Sequence, residues 1–299
     1  VENIYIIGGS GFVGKNLAVY LSNFYSITVF DRYIDSDFFL NFPNIDCQQI
    51  DLIVDNIPGN FSSPDYIVNL ASVVTAERDL SLFDDMVRTN IQIITKLFYR
   101  FQHCQSLKLF VQFGSSEEYG SINSPLIEYI REEPNSPYAL VKQLATNLVL
   151  MLHRNDNFPA TVVRPGNLFG RFQPRDKFIP YVIEKLKAGE RLDVTPCEQK
   201  RDFIYIDDFS MLIREILINS SNAKGEIINV ASGESISLKD IINHCKKEIG
   251  SFSVVNYGAK PYRSNEIMDL KCDITKLNEI TGSFLDIDTK ERLIQLINE

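Results

Sequence analysis

This 299-residue sequence reads as an α/β protein, a doubly wound parallel sheet followed by a smaller α/β lobe. Three observations carry that reading. Short apolar β-type runs alternate with longer helical patterns through the first half, an order that implies parallel strands joined by right-handed crossovers. The run "LKLFVQFGSS" at 107–116 is almost unbroken in its apolarity before it turns polar, as a strand covered on both faces must be. Glycines stand at 8, 11 and 14, directly behind the first apolar run and ahead of the first helical pattern, where Rossmann-type dinucleotide-binding folds place them.

The elements follow in order. "NIYIIG" is a strand, and the helix from about Phe12 sets Val13, Leu17 and Leu21 on one face by their four-residue spacing. "SITVFD" is a second strand ending at Asp31, "IDCQQIDL" a weaker third and "DYIVNLA" a strong fourth. A long helix is predicted through "DLSLFDDMVRTNIQIITKLFYRFQHC", residues 79–104, and another through "SPYALVKQLATNLVLMLHR", residues 136–154, with "PATVVRP" as the strand after it. Beyond about residue 170 the rhythm loosens and prolines gather at 165, 174, 180 and 196. Helical patterns at 177–188, 207–220, 237–248 and 288–297 alternate there with short strands such as "DFIYID" and "EIINVA". No repeat or linker separates the halves, so a dinucleotide-binding domain over 1–168 and a substrate lobe over 169–299 are expected, with elements crossing between them.

Composition limits the function classes. Hydrophobic residues at 44% and charged ones at 23% suit a globular chain with a core of its own. A formal charge of −9 argues against nucleic acid as a partner, which requires clustered positive charge to displace counterions. Cysteines at 47, 104, 197, 245 and 272 form no Cys-x-x-Cys pair and read as reduced thiols of a cytoplasmic protein. The three histidines share no ligand spacing with them, so no metal is expected. No segment has the roughly 20 apolar residues of a membrane helix, and no basic leader precedes the first strand, so no membrane partner is expected either.

The glycine triplet has three separate physical uses: a tight turn, close backbone approach to a pyrophosphate, and close packing of the helix. The helix N-terminus adds amide donors and the positive end of a dipole. An ordinary strand-to-helix turn is the plain alternative, but Asp31 follows Gly14 by 17 residues at the end of the second strand, near the position at which an acid accepts from ribose hydroxyls. A carboxylate there favours NAD, since it repels the 2′-phosphate of NADP; Arg32 beside it leaves NADP open. Asp51, ending the third strand, reads either as an acceptor for the adenine amine or as a turn residue.

Tyr138 and Lys142, four apart on a predicted helix, share one face. A phenol with an ordinary pKa of about 10 becomes useful at neutral pH when an ammonium and an oxidised nicotinamide favour its phenolate. Such a tyrosine exchanges a proton with a hydroxyl or carbonyl while hydride moves to or from the nicotinamide. Ser115, carried past the carboxyl edge of the sheet, supplies a hydroxyl for the same substrate oxygen.

Together, Gly8-x-x-Gly11-x-x-Gly14, Asp31, "SSE" at 115–117 leading to Tyr119-Gly120, Tyr138-x-x-x-Lys142, "RPGNLFG" and "RDFIYIDD" resemble the extended short-chain dehydrogenases/reductases of the nucleotide-sugar epimerase/dehydratase type, over nearly the whole chain. The resemblance implies Ser115, Tyr138 and Lys142 as the catalytic set, with Glu117 beside them, and Phe12, Val13, Leu52, Leu70, Ala71 and Pro165 as further cofactor contacts. It implies Ser116, Asn167, Lys177, Phe178, Arg201 and Arg263 as contacts to a nucleotide-diphosphate sugar, and a carboxamide with two guanidiniums suits a diphosphate. A salt bridge from Arg201 to Asp202 or Asp207 is the plain alternative for that residue.

One common type of 4,6-dehydratase carries Asp-Glu after the catalytic hydroxyl; here Ser116 replaces the Asp and Glu117 keeps the Glu position, a Ser-Glu version that some mannose dehydratases and glucuronate decarboxylases resemble. The segments "GSSEEYG" and 177–208 look closest to 4-keto-6-deoxy sugar-nucleotide reductases, including those making CDP-linked or GDP-linked deoxysugars for polysaccharides. A 4-epimerase using the same residues, or a 4,6-dehydratase, is the alternative, and a dinucleotide-binding sensor without turnover a distant one. Helices 80–103 and 136–154 carry more apolar positions than one buried face needs, with Leu140, Leu144, Leu148 and Leu152 as a stripe on the second. Relatives resembling this chain dimerise through such a helix pair, so a homodimer is expected.

Overall fold

A computed structural model describes residues 1–299 except 60, 74–78, 264 and 283–287. The strands are β1 (Asn3–Ile7), β2 (Ser26–Asp31), β3 (Ile45–Gln49), β4 (Tyr66–Asn69), β5 (Leu109–Phe113), β6 (Ala160–Pro165), β7 (Asn167–Phe169), β8 (Leu192–Val194), β9 (Lys200–Arg201), β10 (Phe203–Tyr205), β11 (Ile227–Val230), β12 (Ile236–Ser237), β13 (Val255–Tyr257) and β14 (Asp269–Leu270). The helices are α1 (Phe12–Leu21), α2 (Ser36–Phe39), α3 (Phe83–Val87), α4 (Ile93–Phe101), α5 (Pro137–Asp156), α6 (Phe178–Lys187), α7 (Ile206–Ile218), α8 (Ser220–Ala223), α9 (Leu238–Ile249), α10 (Thr275–Thr281) and α11 (Thr289–Asn298).

Seven strands form one sheet in the order β11-β6-β5-β4-β1-β2-β3, every neighbour parallel. The reversal of winding beside β1 opens a crevice at the carboxyl ends of β1 and β4, where such sheets bind ligands. Strand alternation decides the two faces. Ile4 and Ile6 join a core with Leu17 and Leu21 of α1, Phe209 and Ile213 of α7 and Leu277 of α10, while Tyr5 and Ile7 join one with Ile94 and Leu97 of α4 and Val149 of α5.

Elements from beyond residue 168 reach into the first part. β11, from the second half, completes the sheet against β6, and α7 and α10 cover one of its faces. The second lobe keeps its own core, in which Ile179, Val182 and Leu186 of α6 meet Ile241 and Cys245 of α9 and Leu293 of α11.

Two expectations need correction. The helix predicted over 79–104 begins at Phe83, because Asp79 accepts the Ser81 amide at 2.8 Å and spends the first residues in a turn. That helix also widens into a π-turn at Arg88–Gln92, where the Asn90 side-chain Nδ2 donates to the Met86 carbonyl at 2.9 Å. The stripe on α5 runs through Leu140, Leu144, Leu148 and Met151; Leu152 is only 5% exposed. Steps of four residues advance about 40° beyond each full turn, so the third step carries Leu152 into the core.

Candidate active site

The three glycines do different things. Gly8 has φ +77°, and a β-carbon there would lie 2.8 Å from the Ala71 amide nitrogen. At Gly14 a β-carbon would lie 2.4 Å from Cα of Gly9, so only glycine lets α1 pack this close to the turn. At Gly11, the N-cap of α1, a β-carbon would meet nothing nearer than 3.9 Å. The space it would enter belongs to a cavity of about 570 Å³ at the carboxyl ends of β1, β2 and β4, faced by the start of α1. Backbone amides, a helix N-terminus and that reserved space fit a pyrophosphate.

Gly8, Gly11, Phe12, Val13, Gly14, Asp31, Arg32, Asp51, Leu52, Leu70 and Ala71 all line this cavity. Asp31 accepts from the Ser10 amide at 2.9 Å and the Tyr33 amide at 3.2 Å, which pins its carboxylate at the cavity wall with lone pairs left for a ribose. Asp51 accepts the Ile53 amide at 2.9 Å, so it caps its own turn as well as lining the wall. Ser10, Ser72 and Thr89 also line the cavity and were not legible in the spacing. Asn69 holds the 70–71 turn in place: it accepts from the Ala71 amide at 3.3 Å and donates to Gln112 at 2.7 Å.

A second cavity, about 440 Å³, adjoins the first through Val13, Leu70, Ser72 and Leu168. Ser115, Ser116, Glu117, Tyr138, Lys142, Pro165, Asn167, Arg201 and Arg263 line it, so residues up to 148 positions apart in sequence meet there. Ser115 caps the turn of 3-10 type at Ser116–Tyr119, accepting the Glu117 amide at 3.1 Å, and its side chain hydrogen-bonds to Tyr138. α5 starts at Ser136, whose hydroxyl accepts the Ala139 amide at 3.1 Å, with Pro137 in the first turn; this start sets the direction in which Tyr138 and Lys142 face.

Lys142 is 3% exposed and donates to the Phe113 carbonyl at 2.8 Å, with its ammonium 5.8 Å from the Tyr138 ring centre. Burial lowers its pKa to about 8, against the opposing pull of Glu118. Tyr138 is pushed well above the ordinary phenol range, first by loss of water and then by the Glu117 carboxylate, while the Ser115 hydrogen bond works the other way. Tyr138 therefore stands as a phenol able to donate a proton.

The residues expected to contact substrate divide. Arg201 makes neither expected acid pair: its guanidinium is held by Glu266 and donates to the carbonyls of Lys200 at 2.7 Å and Ile267 at 2.6 Å. Asp202 instead accepts from Ser232, Gly233 and Cys272, and Asp207 pairs with Arg171 at 3.0 Å. Lys177 lines the first cavity and not the second. Phe178 lines neither, since it opens α6 and packs on the second lobe's core. Sequence reasoning missed Glu118, Arg164 and Thr146, a buried polar set directly behind Ser115; the available signal was an arginine inside the apolar run "ATVVRP", which a covered strand accepts only if paired.

Among the described residues no group of three or more His, Cys, Asp or Glu is placed to hold a metal ion, and no helix is long and apolar enough to cross a membrane.

Comparison with known proteins agrees with this geometry. A stretch of 121 residues is 40% identical to CDP-abequose synthase of Salmonella muenchen, covering 40% of this chain and 41% of that protein. GDP-6-deoxy-D-mannose reductase of Pseudomonas aeruginosa is 27% identical over 261 residues, 81% of this chain and 78% of that one. The fold is shared with a UDP-glucuronic acid 4-epimerase from Bacillus cereus, solved with UDP-glucuronic acid and NAD: TM-score 0.90, 22% identity, 99% of this chain and 98% of that one. Residues 4–231 match the NAD dependent epimerase/dehydratase family. With its glycine cradle, pinned Asp31 and joined Ser115, Tyr138 and Lys142, this chain belongs to that family of nucleotide-sugar enzymes, in the extended short-chain dehydrogenase/reductase group, and its cofactor is NAD.

Proposed function

We propose that the protein reduces the C4 carbonyl of a 4-keto-6-deoxy sugar nucleotide in the making of deoxysugar precursors. The observation that carries this reading is the 40% identity to CDP-abequose synthase over 121 residues, supported by the longer match to a reductase named for a 6-deoxy sugar nucleotide. Ser116 supports it from within the site. It stands where one common type of 4,6-dehydratase carries an acid, which weakens elimination here although Glu117 keeps the acid that follows.

NAD, when bound in reduced form, supplies the hydride. The rest falls to side chains. Ser115 donates its hydroxyl to the sugar's O4, which holds and polarises the carbonyl. Tyr138, kept as a phenol by burial and by Glu117, donates its proton to the oxygen as charge develops there. Lys142 stabilises the phenolate left behind, at a distance its hydrogen bond to Phe113 maintains. Arg263 and Arg201 face the diphosphate end of the cavity, and Arg201 must share itself between that anion and Glu266.

The test is a panel of 4-keto-6-deoxy sugar nucleotides incubated with NADH or NADPH while reduced-nicotinamide absorbance is followed. Stoichiometric oxidation that vanishes in Tyr138→Phe, by about 10²-fold or more, supports the reductase. Interconversion of UDP-hexoses with no added cofactor and no loss of absorbance overturns it in favour of a 4-epimerase.

We also infer a homodimer. Leu144 at 44% and Met151 at 39% exposure lie with Leu140 along the outer face of α5, and Tyr99 is exposed on neighbouring α4. A second copy across a two-fold axis would cover this stripe.

A further inference from the structure

Glu117 and Glu118 are adjacent in the turn after β5 and point in opposite directions. Glu117 is exposed and lines the second cavity, whereas Glu118 has no exposure at all. A buried carboxylate costs several kcal/mol unless its oxygens are satisfied, and those of Glu118 are. Oε1 accepts the Ser115 amide at 2.8 Å; Oε2 accepts Nε and Nη2 of Arg164 at 3.0 and 2.8 Å and the Thr146 hydroxyl at 2.8 Å.

These partners lie on three different elements. Ser115 is on the reacting turn, Thr146 on α5 one turn beyond Lys142, and Arg164 on β6 three residues before Asn167. Arg164, itself without exposure, extends the set: it pairs with Glu132, which accepts from Gln143 of α5 at 3.3 Å, and its guanidinium lies 4.6 Å from the Tyr119 ring centre. One buried carboxylate thus joins the carrier of Ser115, the carrier of Tyr138 and Lys142, and β6, the strand that runs into the Asn167 segment.

We propose that Glu118 is the positioning residue of this site: held by Arg164 and Thr146, it locks the Ser115 turn onto α5 and β6 and is the counter-charge of Lys142. The proposal rests on Ser115, Tyr138 and Lys142 as the acid–base set, and not on which sugar is turned over. Tyr138 shares the face of α5 with Lys142, Glu117 lines the same cavity, and Glu118 is bonded to Thr146 one turn further along the helix, while Arg164 spends its charge on Glu118 and Glu132. Burial favours the neutral amine and Glu118 opposes it. An apolar pair of similar volume would support the fold as well as the ion pair does, so a purely structural role gives no reason for the charge.

The test is a lysine 15N NMR titration of the NAD-loaded protein, with the Lys142 signal assigned by its loss in Lys142→Met. The native midpoint is expected below the ordinary lysine value. Glu118→Gln should lower it by about one unit or more while NAD affinity stays as in the native protein. Should that variant not fold, Glu118→Asp, which keeps the pairing with Arg164 but draws the carboxylate back by one methylene, is expected to lower the midpoint by a smaller amount. An unshifted Lys142 midpoint in either folded variant overturns the proposal, whatever happens to the melting temperature. Turnover that survives Lys142→Met overturns the acid–base assignment itself, and the proposal with it.

Discussion

At the scale of single residues, the glycine triplet shows how one composition signal conceals three physical demands. Gly8 and Gly14 are required by close backbone contact, whereas Gly11 is required only by what enters the cavity. Gly11→Val should therefore leave the melting temperature close to native while weakening NAD binding by about tenfold or more, as one methyl-bearing side chain takes the pyrophosphate's space. Titration calorimetry beside thermal melts checks this, and a matching loss of stability would contradict it. Lys142 makes a second prediction. With its pKa lowered to about 8, turnover falls as pH rises through that value, by about tenfold per unit once the ammonium is the minor form. Stability moves the other way, because the unfolded lysine holds its proton to about 10.4: the folded chain carries the cost of the buried ammonium below pH 8 and loses that cost as pH rises. A rate profile flat to pH 10 would remove Lys142 from the mechanism.

At the scale of elements, α5 does two jobs with two faces. Its inner face sends Lys142, Thr146 and Val149 into the core, and Tyr138 at its first turn reaches the cavity. Its outer face keeps Leu140, Leu144 and Met151 in contact with solvent in the single chain. Leu144→Arg should leave the fold intact and convert a dimer to a monomer, as read by light scattering after size exclusion. A native chain that already runs as a monomer would refute the homodimer. The four-residue spacing of leucines made the helix and its stripe legible in advance, but the drift of an α-helix relative to that spacing decided which of them faces out. The break at Arg88–Gln92 had no counterpart in the apolar pattern, since a π-turn changes hydrogen-bond partners without changing which side chains are apolar.

At the scale of the molecule, the carboxyl-terminal half is part of the first half's core. β11 is the edge partner of β6, and Ile206, Phe209 and Ile213 of α7 lie against the same face as Leu17 and Leu21 of α1. A fragment of residues 1–168 should for that reason fail to show a cooperative thermal transition, because one sheet face and one edge are stripped of their cover. Circular dichroism melts of the fragment and the whole chain would decide it; a sharp transition in the fragment would restore two independent domains.

The alternation of strand and helix, the glycine turn, Asp31, and the pairing of Tyr138 with Lys142 are local facts, and local facts are written in sequence: periodicity, backbone freedom and residue spacing need no knowledge of distant neighbours. Hence the sheet, its glycine-lined crevice and the candidate trio of Ser115, Tyr138 and Lys142 were legible there. The tertiary structure alone decided which charges are shared. It placed Glu266 on Arg201, turned Phe178 into the lobe's core and Lys177 toward the cofactor cavity, and set Glu118 behind Ser115 rather than beside Glu117 in the open. Each of those outcomes depends on contacts between elements far apart in the chain, where burial sets the cost of a charge and only folding determines which partner is near enough to meet it.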